Sequence, residues 1–351
     1  MNMQSAVLKT YSAGAKEVKI DLCCPVDYDT GLLKMLPQEI IEKDYGCGDP
    51  SRYVRQGDTV LDLGSGGGKI CYMAAQLVGE HGRVIGVDMN DDMLTLARKY
   101  QPEMAQKIGT DRVRFVKGHI QDLALDIAAL DQYLSQYPAN NAKTYHDMLT
   151  WQSRQRKERP LIADNSVDLV ISNCVLNLVS DEEKTQLINE IFRVLKPGGR
   201  VAIADIVSDQ PVPEHLKADA ELWSGCISGA FEEQAFADAF IEAGFVGARY
   251  DKRDTTPWKV VEGIAFRSVT LTASKSLSVD NNTAHELIYR GPFAETCDDL
   301  GNVFIRGEKT PVDAASYAAL CSDAYKNHFV DASASGNRCC PPAANKKTSC
   351  C

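Results

Sequence analysis

Residues 58–68, DTVLDLGSGGG, limit the possible folds of this chain more than any other segment. A short apolar run ends at Leu63 and leads directly into alternating glycines, a pattern typical of a buried strand that enters a tight turn. The next residues, KICYMAAQLVGE, have helical apolar spacing, and RVIGVDM then predicts a second strand ending at Asp88. This order predicts a parallel βαβ unit.

Strands and helices continue to alternate as far as residue 207. Further strands are predicted within RVRFVKG, SVDLVISN and RVAIADIV, and further helices within NDDMLTLARKYQPEMAQKIG and DEEKTQLINEIFRVLK. This alternation predicts an α/β fold with a doubly wound parallel sheet. The stretch 124–165 is too long for a plain connection and predicts an inserted helix.

These patterns divide the chain into four regions. We expect an N-terminal lid over residues 1–57, the sheet domain over 58–245, a smaller C-terminal α+β region over 246–330, and a mobile tail over 331–351. From residue 246 the sequence changes to short strand-like pieces such as AFRSVTLTAS. The tail is small, polar and contains prolines, which is typical of mobile chain ends.

The charge of the chain limits its partners. It has 38 Lys and Arg against 48 Asp and Glu, a formal net charge of −10. Such a chain has no general attraction to nucleic-acid phosphates or anionic membranes. The sequence lacks both the apolar run of a signal peptide and a window approaching the roughly 18 apolar residues of a spanning helix. We therefore expect a cytoplasmic protein without a nucleic-acid or membrane partner.

Twelve cysteines are the most unusual compositional feature. Cytosolic cysteines that are not buried apolar filler usually bind soft ions or react. The chain has three adjacent cysteine pairs but no Cys-x-x-Cys, and its six histidines are scattered. A structural zinc site is therefore not expected.

Three cysteines are predicted to meet at one edge of the sheet. Cys174 follows the fourth predicted strand, Cys226 follows the fifth strand and a short helix, and Cys47 precedes the first strand. Ligands of parallel sheets bind at the carboxyl ends of the strands, where these segments converge. For Cys71, inside the first predicted helix, simple burial is the favoured interpretation.

The glycine-rich turn and Asp88 together predict a cofactor site. Glycines let a ligand approach the backbone, and an acidic residue at the end of the second strand can bind a ribose diol. Proteins that bind a nicotinamide cofactor usually have the motif Gly-x-Gly-x-x-Gly, whereas this chain has Asp62-x-Gly64-x-Gly66-x-Gly68. That spacing resembles the first motif of the class I S-adenosylmethionine methyltransferases.

The resemblance to class I methyltransferases continues through the loop 118–122, through Asn173 and through the KPGG turn at 196–199. It implies a Rossmann-like methyltransferase sheet that binds S-adenosylmethionine. For Asp122, an adenine contact and a helix N-cap are equally favoured. The residues that we expect to bind the cofactor are Tyr45, Asp62, Gly64, Gly66, Gly68, Asp88, Met89, Ile120 and Asn173.

The cysteine-containing segments resemble one family within that superfamily. VLKT, DLCCP, DYGCG, LDLGSGGGK, GVDM, ISNCVLNLV, RVLKPGG and WSGCISGA occur in this order and resemble the arsenite methyltransferases over about residues 7–245. The insert at 124–165 departs from the family pattern. The resemblance implies the following arsenic ligands: Cys47, Cys174 and Cys226, which also act in catalysis, and a fourth thiol from Cys24 or its neighbour Cys23.

Elementary chemistry agrees with this resemblance. Trivalent arsenic is soft and three-coordinate, so thiolates are its natural ligands. Arsenic bound by three sulfurs keeps a lone pair and needs no general base, which suits Asn173 and Cys174 at the end of the fourth strand. We expect methylation of arsenite and then of methylarsenite. Turnover would need a thiol reductant such as glutathione or thioredoxin, with a thiol reductase as a possible partner.

Other functions fit parts of the pattern. The main alternative is an S-adenosylmethionine-dependent methyltransferase of another small molecule. A cytosine C5 methyltransferase with Cys174 as the nucleophile is disfavoured by the acidic charge and by the absence of Pro-Cys. A protein that only sequesters arsenic would not need the cofactor loop.

Overall fold

A computed structural model describes residues 3–17, 26–43, 45–278, 284–298 and 300–333. The helices are α1 (Met3–Lys16), α2 (Thr30–Leu33), α3 (Gln38–Glu42), α4 (Lys69–Leu77), α5 (Asp91–Lys99), α6 (Gln101–Ile108), α7 (Ile127–Gln136), α8 (Ala142–Glu158), α9 (Asp181–Val194), α10 (Glu214–Lys217), α11 (Ala220–Ser224), α12 (Glu233–Glu242) and α13 (Ala314–Leu320). The strands are β1 (Thr59–Leu63), β2 (Arg83–Asp88), β3 (Val113–Lys117), β4 (Val167–Asn173), β5 (Leu195–Ser208), β6 (Phe231–Glu232), β7 (Phe245–Arg253), β8 (Lys259–Val261), β9 (Ile264–Lys275), β10 (His285–Tyr289), β11 (Glu295–Cys297), β12 (Val303–Ile305), β13 (Lys309–Val312) and β14 (Phe329–Asp331).

The main sheet has the order β3-β2-β1-β4-β5-β9-β7. Strands β3, β2, β1, β4 and β5 are parallel to one another, β9 pairs with β5 in antiparallel orientation, and β7 pairs with β9 in antiparallel orientation. Short strands β6 and β8 pair with β5 and β9 respectively. The predicted doubly wound α/β fold is confirmed. Among the described residues, no helix combines the length and apolar character needed to cross a bilayer.

Helices pack on both faces of the parallel strands, so the central strands are apolar on both sides. Neighbouring β1 residues point to opposite faces: Leu61 belongs to the same core cluster as Leu187 of α9, and Val60 to the same cluster as Met73 of α4. All four side chains are fully buried. Burial of such aliphatic groups stabilises the fold by roughly 1.5–3 kcal/mol per side chain.

Two predicted helices are each split in two. The helix predicted after Asp88 is α5 followed by α6, with Pro102 in the first turn of α6, a position where proline is tolerated. The insert 124–165 forms α7 and α8, and the second helix starts at a capping box formed by Asn141 and Thr144. Both proline and the capping residues are visible in the sequence, so this division was predictable in principle.

The sheet extends beyond the expected boundary at residue 245. Strand β9 pairs with β5 from Arg200–Ser274 to Ser208–Phe266, which places residues up to 275 within the main sheet. A separate small unit follows, in which β10 pairs with β13 and β14. Strand β14 includes the first residue of the predicted tail, and residues 334–351 lie outside the described part of the chain.

Candidate functional site

The carboxyl ends of β1, β2 and β4 border a cavity of about 380 Å³. The glycine-rich turn forms one side of it. Gly64, Gly66 and Gly68 have φ angles of 66°, 51° and 90°, all in the left-handed region that favours glycine. Every second residue of the turn therefore requires glycine, which explains the spacing of the motif.

Asp88 braces this turn from the end of β2. Its carboxylate accepts hydrogen bonds from the backbone N–H of Gly66 (2.8 Å) and of Asn90 (2.8 Å). Asn90 in turn caps α5 by accepting from the N–H of Asp92 (3.0 Å) and of Met93 (3.2 Å). The acidic group is thus fixed at the cavity wall.

Helix α1 covers the cavity. Its residues Val7, Leu8 and Tyr11 line the wall opposite the sheet. Asn90 ties the helix down by donating to the carbonyl of Leu8 (3.1 Å) and to the hydroxyl of Ser12 (3.1 Å). Of the helices in the predicted lid region 1–57, α1 is therefore the one that lines this cavity within the described residues.

Most of the expected cofactor residues line this cavity. They are Tyr45, Gly64, Gly66, Asp88, Met89, Ile120 and Asn173. Asp62 and Gly68 are not part of the lining. Asp62 is buried and accepts a hydrogen bond from the Cys71 thiol (3.2 Å), and Gly68 is the N-cap of α4.

Two residues of the loop 118–122 have different roles. Ile120 lines the cavity, whereas Asp122 accepts three hydrogen bonds from Arg156 of α8, at 3.3, 3.0 and 2.8 Å. Asp122 also accepts from the N–H of Leu125 (3.2 Å). The hydrogen bonds of Asp122 to Arg156 attach the inserted helix α8 to the loop that borders the cavity. His119 of the same loop also lines the cavity, and burial lowers the pKa of its imidazole.

The three expected thiol residues converge beside this cavity. Cys47 and Cys174 form a disulfide with a Cα–Cα distance of 5.9 Å, and the Cys226 thiol donates to the Cys174 carbonyl (3.2 Å). Cys47 and Cys226 are buried, and Cys174 is partly buried. Cys23 and Cys24 lie outside the described residues.

A second, much smaller cavity adjoins two of these cysteines. Its volume is about 10 Å³, and Tyr11, Tyr45, Cys174, Cys226 and Trp258 belong to its lining. Tyr11 and Tyr45 pack edge to face with ring centroids 6.2 Å apart. Burial and the neighbouring Cys226 raise the pKa of the Tyr11 hydroxyl well above its ordinary value. Tyr11, Tyr45 and Cys174 line both cavities, so the two cavities adjoin each other at these residues.

Asp205, which the sequence analysis did not single out, lies beside the disulfide. One of its carboxylate oxygens and the sulfurs of Cys47 and Cys174 lie within 4.8 Å of one another. The carboxylate accepts from the N–H of Leu176 (3.0 Å) and of Ile206 (2.8 Å). Burial nevertheless raises its pKa to about 7. A single carboxylate inside the otherwise apolar strand RVAIADIV was the available signal.

Comparison with known proteins identifies the family. A sequence profile described as a methyltransferase domain matches residues 55–154 and 152–244, and one described as a domain of unknown function matches 278–351. The chain is 30% identical to the arsenite methyltransferase of Mus musculus over 342 residues, covering 94% of this chain and 81% of the mouse protein. The chain belongs to the arsenite methyltransferase family.

Two other relatives agree with this assignment. The arsenite methyltransferase of Halobacterium salinarum is 36% identical over 211 residues, which cover 60% of this chain and 43% of that protein. The crystal structure of an arsenic(III) S-adenosylmethionine methyltransferase from Chlamydomonas reinhardtii matches with a TM-score of 0.57 at 25% identity, covering 90% of this chain and 98% of that one. As a member of the arsenite methyltransferase family, the chain is an S-adenosylmethionine-dependent transferase.

The large cavity fits S-adenosylmethionine. Asp88 offers carboxylate oxygens to a ribose diol, and the apolar side chains of Met89 and Ile120 provide a surface for a flat aromatic base. The left-handed glycines at 64 and 66 leave the strand end open to the amino-acid part of the cofactor. Among the described residues, Lys43 is the only lysine or arginine of the cavity lining, so the lining offers no basic cluster for a pyrophosphate.

Asp88→Ala is expected to weaken S-adenosylmethionine binding by roughly 10- to 100-fold, because it removes the ribose acceptor and frees the Gly66 and Asn90 amides. Arsenite binding to the reduced protein should stay within about threefold of the parent value. Calorimetric titration of each ligand measures both. Equal loss of the two ligands would mean that Asp88 supports the fold instead.

Proposed function

We propose that this family member transfers methyl groups from S-adenosylmethionine to trivalent arsenic, first to arsenite and then to methylarsenite, with arsenic held by Cys47, Cys174 and Cys226. One observation carries the proposal. These three residues come from separate segments of the chain, yet Cys47 is bonded to Cys174, and the Cys226 thiol contacts the Cys174 carbonyl at the border of the cofactor cavity.

The chemistry of the site supports this function. S-adenosylmethionine supplies an electrophilic methyl group when it is bound. The reduced thiolates hold arsenic in a fixed position, and its lone pair can act without the help of a base. Cys174 belongs to the lining of both cavities, so of the three thiol residues it is the one that borders the cofactor cavity. Catalysis is then mainly the positioning of the acceptor.

A thiol reductant is part of the proposal. Each methyl transfer raises arsenic formally from the trivalent to the pentavalent state, and two thiols can return the two electrons by forming a disulfide. The Cys47–Cys174 pair is close enough to do so, since it is already bonded. Glutathione, thioredoxin or a thiol reductase would then reopen the site, most readily in the reducing cytoplasm.

Labelled methyl transfer tests the function. Protein reduced with a dithiol is mixed with S-adenosylmethionine labelled in its methyl group and with arsenite, and labelled arsenicals are separated by chromatography. We expect labelled methylarsenical only when arsenite, reductant and protein are all present. Protein that binds both substrates but transfers no label to arsenite or methylarsenite would refute the proposal.

A further inference from the structure

The segment 172–177, SNCVLN, has a cysteine between two buried asparagines. Asn173 is 7% exposed and Asn177 is 0% exposed. Buried amides are costly unless their polar atoms are paired, so the partners of these two side chains reveal what each one stabilises.

Asn173 binds the segment that carries Cys47. Its Oδ1 accepts from the N–H of Cys47 (2.9 Å) and of Gly48 (3.0 Å), and its Nδ2 donates to the carbonyl of Gly48 (2.8 Å). A Cβ atom on Gly46 would lie 2.2 Å from this Nδ2. The asparagine and the glycine together let the two backbones approach closely.

Asn177 binds the segment that carries Cys226. Its Nδ2 donates to the carbonyl of Ile206 (2.7 Å) and to the carbonyl of Cys226 (3.3 Å). On this side too a glycine permits the close approach, since a Cβ atom on Gly229 would lie 2.0 Å from the Asn177 carbonyl oxygen. Asn177 thus connects the end of β5 with the Cys226 turn.

The backbone of two thiol residues needs this support. Cys174 and Cys226 have φ angles of 58° and 60°, and Asn165 and Glu262 are the only other non-glycine residues with positive φ in the described part of the chain. Such conformations are unfavourable for residues with a Cβ and persist only where neighbouring contacts enforce them. Both strained cysteines lie at the thiol site.

We propose that Asn173 and Asn177 are positioning residues that assemble the thiol site around Cys174. Asn173 fixes Cys47, and Asn177 fixes Cys226. This inference rests on the proposed function and assigns a separate step to each asparagine. Arsenite needs three thiols, so it needs both asparagines. Methylarsenite needs two, which are Cys174 and Cys226, so its coordination needs Asn177 but not the contacts of Asn173 with the Cys47 segment.

The kinetics of arsenite and methylarsenite methylation test the separate roles of Asn173 and Asn177. Asn173→Leu leaves the two amides of Cys47 and Gly48 unpaired and should lower the ratio of kcat/KM for arsenite to kcat/KM for methylarsenite by roughly 20-fold or more. A change in cofactor binding would affect both substrates equally and would leave this ratio unchanged. Asn173→Asp keeps the acceptor oxygen and should restore much of the arsenite activity. Asn177→Asp removes the Nδ2 donor at the same size and should lower both reactions about equally, by roughly 10- to 100-fold.

The rates of disulfide formation and thiol alkylation, measured without arsenic, test the positioning roles independently of methyl transfer. In Asn173→Leu, the Cys47–Cys174 disulfide should re-form at least about tenfold more slowly after reduction and dilution into a mild oxidant. Asn177→Asp should leave that rate unchanged but increase the alkylation rate of Cys226. Asn189→Asp, an exposed change on α9, is the matched control and should alter neither rate. Mass spectrometry of peptides gives both rates, and circular dichroism confirms folding.

The outcomes separate this inference from the proposed function. If folded Asn173→Leu re-forms the disulfide at the parent rate, or loses both substrates equally, its positioning role is refuted. An unchanged alkylation rate of Cys226 in Asn177→Asp refutes the second role. If the thiol rates change as expected while even the parent protein fails to methylate arsenic, the proposed function is wrong and the assembly role stands.

Discussion

Cys47→Ser is expected to lower arsenite methylation at least roughly 100-fold, about 2.7 kcal/mol of transition-state stabilisation, while methylarsenite methylation stays within about threefold of the parent rate. Arsenite offers three positions to thiolates, and a serine hydroxyl is a poor ligand for a soft ion. One methyl group leaves only two positions, which Cys174 and Cys226 can fill. Cys174→Ser and Cys226→Ser should therefore lose both reactions.

The assay for the cysteine variants compares initial rates with each arsenical under a reductant that keeps the thiols reduced. Cys297→Ser, which replaces an exposed free thiol far from these contacts in sequence, serves as the control and should behave like the parent. Binding of S-adenosylmethionine to every variant verifies that the cofactor side is intact. A folded Cys47→Ser that loses both substrates equally would show that the second step also needs three thiols.

Gly64→Ala is expected to reduce S-adenosylmethionine binding at least roughly 100-fold, about 2.7 kcal/mol. The backbone of the new alanine would have to keep a φ of 66°, and its Cβ atom would lie 2.5 Å from Val175 Cγ1. Because Val175 follows Cys174 directly, the collision displaces either the glycine turn or the thiol loop. The cofactor and the arsenic ligand are therefore disturbed together.

Gly109→Ala separates backbone strain from this collision. Gly109 also has positive φ, 91°, but a Cβ there would meet nothing within 4 Å. We expect it to cost about 1 kcal/mol of folding stability and to leave cofactor affinity unchanged. Equilibrium denaturation and calorimetric titration measure the two quantities. Equal loss of cofactor binding in both variants would mean that general destabilisation explains the effect.

The parts predicted from sequence are those determined by local pattern. The β1–turn–α4 unit follows from an apolar run, alternating glycines and helical spacing, and the structure contains it at 59–77. Asp88 was identified by its place at the end of a strand, and it does line the cavity. The family assignment depended on cysteine motifs in a fixed order, and the comparisons confirm it.

The features that the sequence did not reveal depend on contacts between distant segments. The pairing of β9 with β5 extends the sheet past residue 245, and the residue pattern of a strand carries no sign of its partner. Asn173 was expected to bind the cofactor, and that role stays a prediction, but three of its hydrogen bonds go to the Cys47 segment. Only the folded chain brings these groups together.

The separation of the three cysteines along the chain has a thermodynamic consequence. Cys47 and Cys174 are 127 residues apart, and Cys174 and Cys226 are 52 residues apart. An unfolded chain would have to close two long loops to offer all three thiols to one arsenic atom. Under the proposed function, tridentate coordination would therefore be selective for the native state, and arsenite would act as a reversible three-way cross-link. By mass action, arsenite binding at the three thiols would shift the folding equilibrium toward the native protein. Arsenite bound by adjacent cysteine pairs of the unfolded chain would reduce this stabilisation.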